Sequence, residues 1–148
     1  MELKYSIKDD EKHVLAMGRD MNVSFKDMII LAETVRGKKL PKAIQIMEGV
    51  ISLARPVEYR RYSTGIGHRL GNQPKCAKYP KKAAKYVLGI LKNLEANAEF
   101  KGMDPEKVKI IHSQAQLGVC RPRRKPKGRY TTWETEYVHM QVVGKEKK

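Results

Sequence analysis

The sequence predicts an α+β fold in which three helices pack on a small antiparallel sheet with a long protruding β-hairpin. Three stretches repeat apolar residues at the spacing of an amphipathic helix. Two later stretches alternate apolar and polar residues, and a basic segment with proline and glycine separates them. The length of 148 residues and a hydrophobic fraction of 41% suit a single domain spanning 1–148 with its own core.

The N-terminal part predicts a strand followed by a helix. Residues 1–12 are polar and are expected to form a loose lead-in, whereas residues 13–19 are a short apolar run typical of a strand. Ser24 is a favourable helix N-cap, and Gly37 suits the end of the helix. Between them one helical face is apolar, formed by Phe25, Met28, Ile29, Ala32 and Val35.

Two further helices follow. The second is expected from near Pro41, a favoured first-turn residue, to Pro56, with an apolar face of Ala43, Ile44, Met47, Val50, Ile51 and Ala54. The third is expected from near Pro80 until Gly102, with an apolar face of Ala84, Val87, Leu88, Leu91, Leu94 and Ala98. Core packing accounts for all three faces.

The C-terminal part predicts an extended hairpin over residues 108–143 with a basic tip at 120–130. Its first strand places on one side Ile111, Ser113, Ala115, Leu117 and Val119. Its second strand places on one side Val138, Met140 and Val142. At about 3.3 Å per residue, the ten steps from residue 115 to residue 125 reach roughly 33 Å. An arm of that length is expected to thread into a partner.

The charge predicts a polyanionic partner. Lys and Arg total 31 against 16 Asp and Glu, which gives a net charge of +15. A compact domain with this charge repels itself unless a polyanion neutralises it. Nucleic acid is the first candidate, an anionic membrane surface is the second, and a merely soluble basic protein is the third.

Other classes of protein find little support in the sequence. No stretch approaches the roughly 20 apolar residues that span a bilayer, and the first ten residues lack the apolar centre of a signal peptide. Cys76 and Cys120 lie in unrelated segments without Cys-x-x-Cys spacing, which predicts reduced thiols in a cytoplasmic protein.

The basic residues form three groups in the sequence. The tip group contains no acid and consists of Arg121, Arg123, Arg124, Lys125, Lys127 and Arg129. The middle group, within the acid-free residues 59–86, consists of Arg60, Arg61, Arg69, Lys75, Lys78, Lys81, Lys82 and Lys85. The third group consists of Arg36, Lys38, Lys39 and Lys42. Backbone phosphates supply the missing counter-charge, and arginine can bind them bidentately. A solvated basic face is the alternative.

Aromatic residues are interleaved with these cations. Tyr59, Tyr62, Tyr79 and Tyr130 are candidates for stacking on nucleic-acid bases.

Catalytic and metal sites are not predicted. The glycines of residues 65–71 do not match a nucleotide loop, because Leu70 replaces the third glycine and no βαβ unit is present. His68 and His112 each precede a cysteine by eight residues, but structural zinc ligands usually come in closely spaced pairs. Acids for a catalytic metal are absent from the basic segments. We expect no enzyme activity, no cofactor, no metal and no small-molecule substrate.

Several motifs together resemble the archaeal and eukaryotic form of the universal large-subunit ribosomal protein L twenty-two family. Residues 60–68 (RRYSTGIGH) resemble the insertion of that form, within an expected basic insertion loop at 55–79. Residues 79–84 (YPKKAA) and 95–99 (EANAE) resemble the start and end of the family's third helix, and residues 101–104 (KGMD) follow it as in family members. Residues 121–123 (RPR), Gly128, Arg129 and His139 resemble the hairpin signature. The motifs occur in order over nearly the whole chain.

The resemblance implies a structural constituent of the large ribosomal subunit, located in the cytoplasm. It implies that large-subunit rRNA and neighbouring ribosomal proteins are partners, and that the hairpin reaches the nascent-peptide exit tunnel, where it can meet the nascent peptide. Charge and resemblance together predict these rRNA-binding residues: Arg36, Lys38, Lys39, Arg60, Arg61, Tyr62, His68, Arg69, Lys75, Lys78, Lys81, Lys82, Lys85, Arg121, Arg123, Arg124, Lys125, Lys127, Arg129 and Tyr130.

Two departures from the family pattern affect the hairpin. The stretch from Arg124 to Lys127 lengthens the tip, and Glu134 and Glu136 replace expected basic or hydroxyl residues. The second strand is therefore expected to face protein or solvent there. The alternative function is a free-standing RNA-binding protein or RNA chaperone, which would usually carry paired aromatic residues on a sheet. A metal-dependent nuclease is the third class, and RNA cleavage with magnesium would separate it from the others.

Overall fold

The computed structural model describes residues 4–7, 12–70, 73–128 and 130–146. The elements within these ranges are β1 (His13–Met21), α1 (Phe25–Val35), α2 (Leu40–Ile51), β2 (Val57–Glu58), β3 (His68–Leu70), β4 (Gln73–Lys78), α3 (Lys81–Phe100), β5 (Val108–Leu117), β6 (Arg121–Arg124), β7 (Thr132–Thr135) and β8 (Val138–Glu146). A short 3₁₀ turn, Pro105–Lys107, joins α3 to β5. This order confirms the predicted α+β class. No helix in the described ranges is both long and apolar enough to cross a membrane.

The main sheet has the strand order β1-β8-β5, with all neighbours antiparallel. The three helices contribute large buried side chains to one core with this sheet, including Met28, Leu31, Met47, Leu91 and Leu94. Complete burial of such a side chain contributes about 1.5–3 kcal/mol. The predicted apolar helical faces are therefore the main source of stability.

The helices agree with the predicted faces in most positions. Gly37 follows α1 with φ +77°, a conformation that glycine adopts without strain. Ile30 and Leu31 are buried although the predicted face omitted them, whereas Ile29 is only half-buried. Ala54 was expected on α2, but it lies beyond the last helical residue and is exposed.

Strand β5 departs from the predicted alternation at Ile111. The pairing of β5 with β8 shifts register between Ile110 and His112, so an extra residue is inserted there. As a result Ile110 is buried, Ile111 is 38% exposed, and Ser113 returns to the buried side. The prediction that Ile111 and Ser113 share a side is wrong, because the bulge interrupts the alternation of side chains between the two faces of the strand.

Residues 55–79, expected as a loop, contain a second small sheet of order β2-β4-β3. Val57 and Ala77 are buried under it. Tyr59 connects this sheet to α1, since its hydroxyl donates a hydrogen bond of 2.8 Å to Asp27 Oδ1. This segment is part of the folded body of the protein.

The lead-in is attached to the main sheet where the structure describes it. Gln141 of β8 is fully buried, and its Oε1 accepts hydrogen bonds from the Ser6 backbone N–H and hydroxyl at 2.9 and 3.1 Å. Its Nε2 donates to the Lys4 carbonyl at 2.9 Å. Residues 4–7 therefore satisfy a buried amide, which differs from the loose lead-in expected there.

Candidate nucleic-acid interface

Strands β6 and β7 form an antiparallel two-stranded ribbon. Their register pairs Arg121 with Thr135, Arg123 with Trp133 and Arg124 with Thr132. Strands β5 and β8 are also paired antiparallel. The chain therefore runs along β5 and β6 and returns along β7 and β8, as in a hairpin. How far the ribbon protrudes stays a prediction.

The cations of the ribbon and its turn are exposed. In the described part of the chain, no carboxylate pairs with Arg123, Arg124, Lys125 or Lys127. Arg121 lies with its guanidinium carbon 5.0 Å from the centroid of the Tyr137 ring, which fixes it on the ribbon through a cation–π contact. Arg129 lies outside the described residues. Four of the predicted tip cations are therefore free to bind an anion.

A cleft of about 810 Å³ lies between this ribbon, the start of α1 and residues 78–83. We call it the tip cleft. Its basic lining residues come from both the middle and the tip groups, and they are Lys78, Lys81, Lys82, Arg123 and Arg124. Its acidic lining residues are Asp27, Glu134 and Glu136. The fold thus joins two groups that the sequence keeps apart.

Two of these three carboxylates already have partners within the protein. Glu136 Oε2 accepts a hydrogen bond of 3.0 Å from the backbone N–H of Phe25, the first residue of α1. Asp27 Oδ1 accepts from the Tyr59 hydroxyl at 2.8 Å and from Lys78 Nζ at 3.4 Å. Glu136 thus contacts the protein itself, whereas the absence of RNA contact in this part of the second strand stays a prediction.

The first turn of α3 supplies the free cations on the opposite side of the tip cleft. Lys81 and Lys82 are exposed, and no ion pair is found for either in the described ranges. The positive end of the helix dipole lies in the same turn and adds to their attraction for an anion.

The aromatic candidates differ in exposure, and Tyr79, which lines the tip cleft, is half-buried. Tyr59 is only 4% exposed, so the prediction that it stacks on bases is wrong. Burial, and then its hydrogen bond to Asp27, raises the pKa of its hydroxyl well above the usual value, so it remains a neutral donor. Tyr62 is exposed beneath Lys26 Nζ, which lies 5.4 Å from its ring centroid, and Tyr130 is fully exposed. Both remain candidates.

Trp133 was not predicted as a site residue. It is 59% exposed on β7, lines the tip cleft, and is the cross-strand partner of Arg123 on β6. The available signal was a single tryptophan, next to a basic segment, in a strand whose other exposed residues are polar.

Much of the middle group pairs with acids of the body. Arg61 forms an ion pair with Glu33, while Arg60 and Lys75 each lie 3.6 Å from Glu58 Oε1. The run itself contains no acid, but Glu58 directly precedes it, and the fold brings Glu33 and Asp27 beside it. Exposed pairs of this kind contribute about 0–1 kcal/mol, so a phosphate can replace the carboxylate at little cost.

A second cleft, of about 370 Å³, lies beside these pairs. We call it the body cleft. Its charged lining residues are Arg36, Lys38, Arg55, Arg60, Glu33 and Glu58. The Arg36 guanidinium donates to the Ser113 carbonyl oxygen, so this predicted site residue also links α1 to β5. Arg55 was not predicted as a site residue.

The other predicted residues lie outside both clefts. Lys39 precedes α2, His68 and Arg69 lie on β3, and Lys85 lies on α3, all with exposed side chains. His68 is the register partner of Cys76 on β4. Among the described residues, no group of three or more His, Cys, Asp or Glu side chains is placed to hold a metal ion.

Comparison with known proteins identifies the family. The family model described as Ribosomal protein L22p/L17e matches residues 16–145. The chain belongs to this family. The relatives include three archaeal proteins named Large ribosomal subunit protein uL22. That of Archaeoglobus fulgidus is 42% identical over 142 residues, covering 94% of this chain and 92% of the relative. That of Methanocaldococcus jannaschii is 40% identical, with 96% and 94% covered, and that of Ignicoccus hospitalis is 41% identical, with 94% and 91% covered.

These matches confirm the resemblance to the L twenty-two family and its archaeal type. The family consists of structural ribosomal proteins, which confirms the prediction that the chain is not an enzyme.

His139 of the hairpin signature and Gly118 at the end of β5 are fixed by close packing. The Nδ1 of His139 accepts a hydrogen bond of 3.0 Å from the Asp20 backbone N–H, joining β8 to the end of β1. A Cβ at Gly118 would lie 2.8 Å from His139 Nε2 and 2.9 Å from the Tyr137 carbonyl oxygen. Glycine is therefore required where the chain leaves β5 for the ribbon. These contacts hold the chain closely against β8 where the ribbon begins.

Proposed function

We propose that this chain is a structural constituent of the large ribosomal subunit that binds and tethers large-subunit rRNA. The tip cleft carries the proposal, because it places Lys81 and Lys82 of α3 opposite Arg123 and Arg124 of the ribbon. The net charge of +15 and membership of the L twenty-two family support it.

The mechanism is charge neutralisation without turnover. Phosphates on one RNA segment meet the first turn of α3, while phosphates on another meet the ribbon, where arginine binds bidentately. The two segments are thereby held together across the cleft. In the body cleft and along residues 60–75, phosphates compete with Glu33 and Glu58 for cations that already have partners.

The finer parts of the proposal concern location. The chain acts in the cytoplasm within the large subunit, beside neighbouring ribosomal proteins. Its ribbon reaches the nascent-peptide exit tunnel, where the exposed turn meets the nascent peptide. Support for this comes from the family and from the exposure of residues 121–128.

Sedimentation tests the assignment. Tagged protein in a cell lysate is fractionated on a gradient, and we expect it to follow the large subunit. The double variant Arg123→Gln/Arg124→Gln should be depleted from that fraction, whereas Lys92→Gln, an exposed cation outside both clefts, should not be. Protein that binds RNA but stays at the top of the gradient would instead identify a free-standing RNA-binding protein.

A further inference from the structure

Trp133 is the only tryptophan of the chain. It lies on β7 with more than half of its surface exposed, and no cation covers its ring within the described residues. A tryptophan has a large apolar area, which is normally buried against protein or against a ligand. Here the side chain lines the tip cleft instead.

We propose that the tip cleft binds one unstacked nucleotide of the RNA, with its base stacked on the indole of Trp133. This inference rests on the proposed RNA-binding function and names the form of RNA that the cleft takes. The volume of about 810 Å³ lies within the range of roughly 300–1,000 Å³ found for small-ligand sites, and so it accommodates a nucleotide.

The distribution of charge sets the orientation of the nucleotide. Lys81 and Lys82 provide free cations on the α3 side of the cleft, and Arg123, the cross-strand partner of Trp133, provides one beside the indole on the ribbon. Glu134 has no ion-pair partner in the described ranges, so it repels phosphate from the adjoining part of the ribbon. The phosphates therefore face α3 and Arg123, while the uncharged base lies against the indole.

Fully paired RNA does not satisfy this arrangement. In a duplex the faces of the bases are covered by their neighbours, and only an unpaired base can offer its face to an aromatic ring. A bulge or a single-stranded loop is therefore the RNA form that suits the cleft.

Fluorescence of the single tryptophan provides a direct test. The full chain is titrated with an RNA hairpin that carries one bulged nucleotide and with the same stem fully paired. We expect strong quenching with the bulged RNA and little with the paired stem. With labelled RNA, Trp133→Leu should weaken binding of the bulged form by roughly tenfold, the usual order for one lost stacking contact, and leave the paired stem unaffected.

Two further variants control for folding and for nonspecific aromatic contact. Trp133→Phe keeps an aromatic face and should retain most of the preference for the bulge. Phe100→Leu removes another exposed aromatic residue, at the end of α3 and outside the cleft lining, and should change neither affinity.

The outcomes separate this inference from the function on which it rests. Failure to bind either RNA overturns the proposed function. Equal binding of both RNAs with unquenched tryptophan, or equal weakening of both by Trp133→Leu, overturns the nucleotide site and leaves RNA binding intact. A response of the tryptophan only to added large-subunit proteins assigns the cleft to a peptide and likewise overturns the nucleotide site.

Discussion

The helical body and the β6–β7 ribbon differ in how they balance charge and apolar surface. The body buries side chains from all three helices, and Glu33, Glu58 and Asp27 pair with its nearby cations. The ribbon exposes every residue of β6, and its free cations face no carboxylate partner among the described residues. We therefore expect the body to be stable by itself and the ribbon to gain stability when an anionic partner binds.

Removal of a core side chain should show the largest effect on stability. Leu91 of α3 is fully buried, and Leu91→Ala should lower the free energy of unfolding by about 2–5 kcal/mol, because it leaves a cavity. The matched change Leu117→Ala, at the exposed end of β5, should cost less than about 1 kcal/mol. Urea denaturation measures both. Equal losses would contradict the view that stability resides in the body.

Replacement of residues 121–127 by an Asn-Gly turn should separate folding from RNA binding. The body should keep its melting temperature, because the ribbon adds little buried apolar surface. The slope of log affinity for structured RNA against log salt, expected near −4 to −5 for about six phosphates, should become shallower by roughly 3. Affinity at physiological salt should fall on the order of 100-fold.

A triple change in the body serves as the comparison for that experiment. Changing Arg60, Arg61 and Lys75 to Gln removes three cations, against five in the tip replacement, and these three already have acidic partners. We expect a smaller change in salt slope than for the tip replacement. The opposite ranking would place the main RNA contact on the body.

Glu136 links the two regions, so its removal should cost a moderate amount of stability. Glu136→Ala leaves the N–H of Phe25 at the start of α1 without its acceptor, because the Ser24 side chain makes no capping hydrogen bond. Loss of a helix cap costs about 0.5–2 kcal/mol. Glu134→Ala is the control and should be near neutral. Thermal unfolding distinguishes them, and identical melting temperatures would mean that the contact contributes nothing to stability.

The spacing of apolar residues predicted the elements that pack against the core along one side. It failed where contacts with segments distant in the sequence determine the local structure. The apolar faces of the three helices follow from spacing alone, because one side of each helix meets a continuous core. The bulge at Ile111 could not be read from the sequence, since it depends on the register with β8.

For the candidate nucleic-acid interface, too, the sequence predicted the charged residues but not their partners. The sequence identified the basic groups, but tertiary structure determines that Glu33 and Glu58 neutralise part of one group and that Lys81 and Lys82 meet the ribbon. The burial of Tyr59 likewise depends on Asp27, which lies far away in the sequence.

The smallest expected effect on stability concerns Tyr59. This residue is buried in the body, although it begins the acid-free basic stretch. Tyr59→Phe removes the hydrogen bond to Asp27 and should cost about 0.5–1.5 kcal/mol at neutral pH. Burial raises the pKa of this hydroxyl above its ordinary value of 10.0, so the unfolded chain loses the proton first. The contribution of Tyr59 to the free energy of unfolding is complete below pH 10 and declines as the pH rises further. The difference in stability between the wild type and the variant should then narrow.

Tyr130→Phe, at a fully exposed position, should show no difference in stability from the wild type at any pH. Urea denaturation at a series of pH values tests this, and a gap that stays constant above pH 10 would show that Tyr59 titrates like an exposed tyrosine.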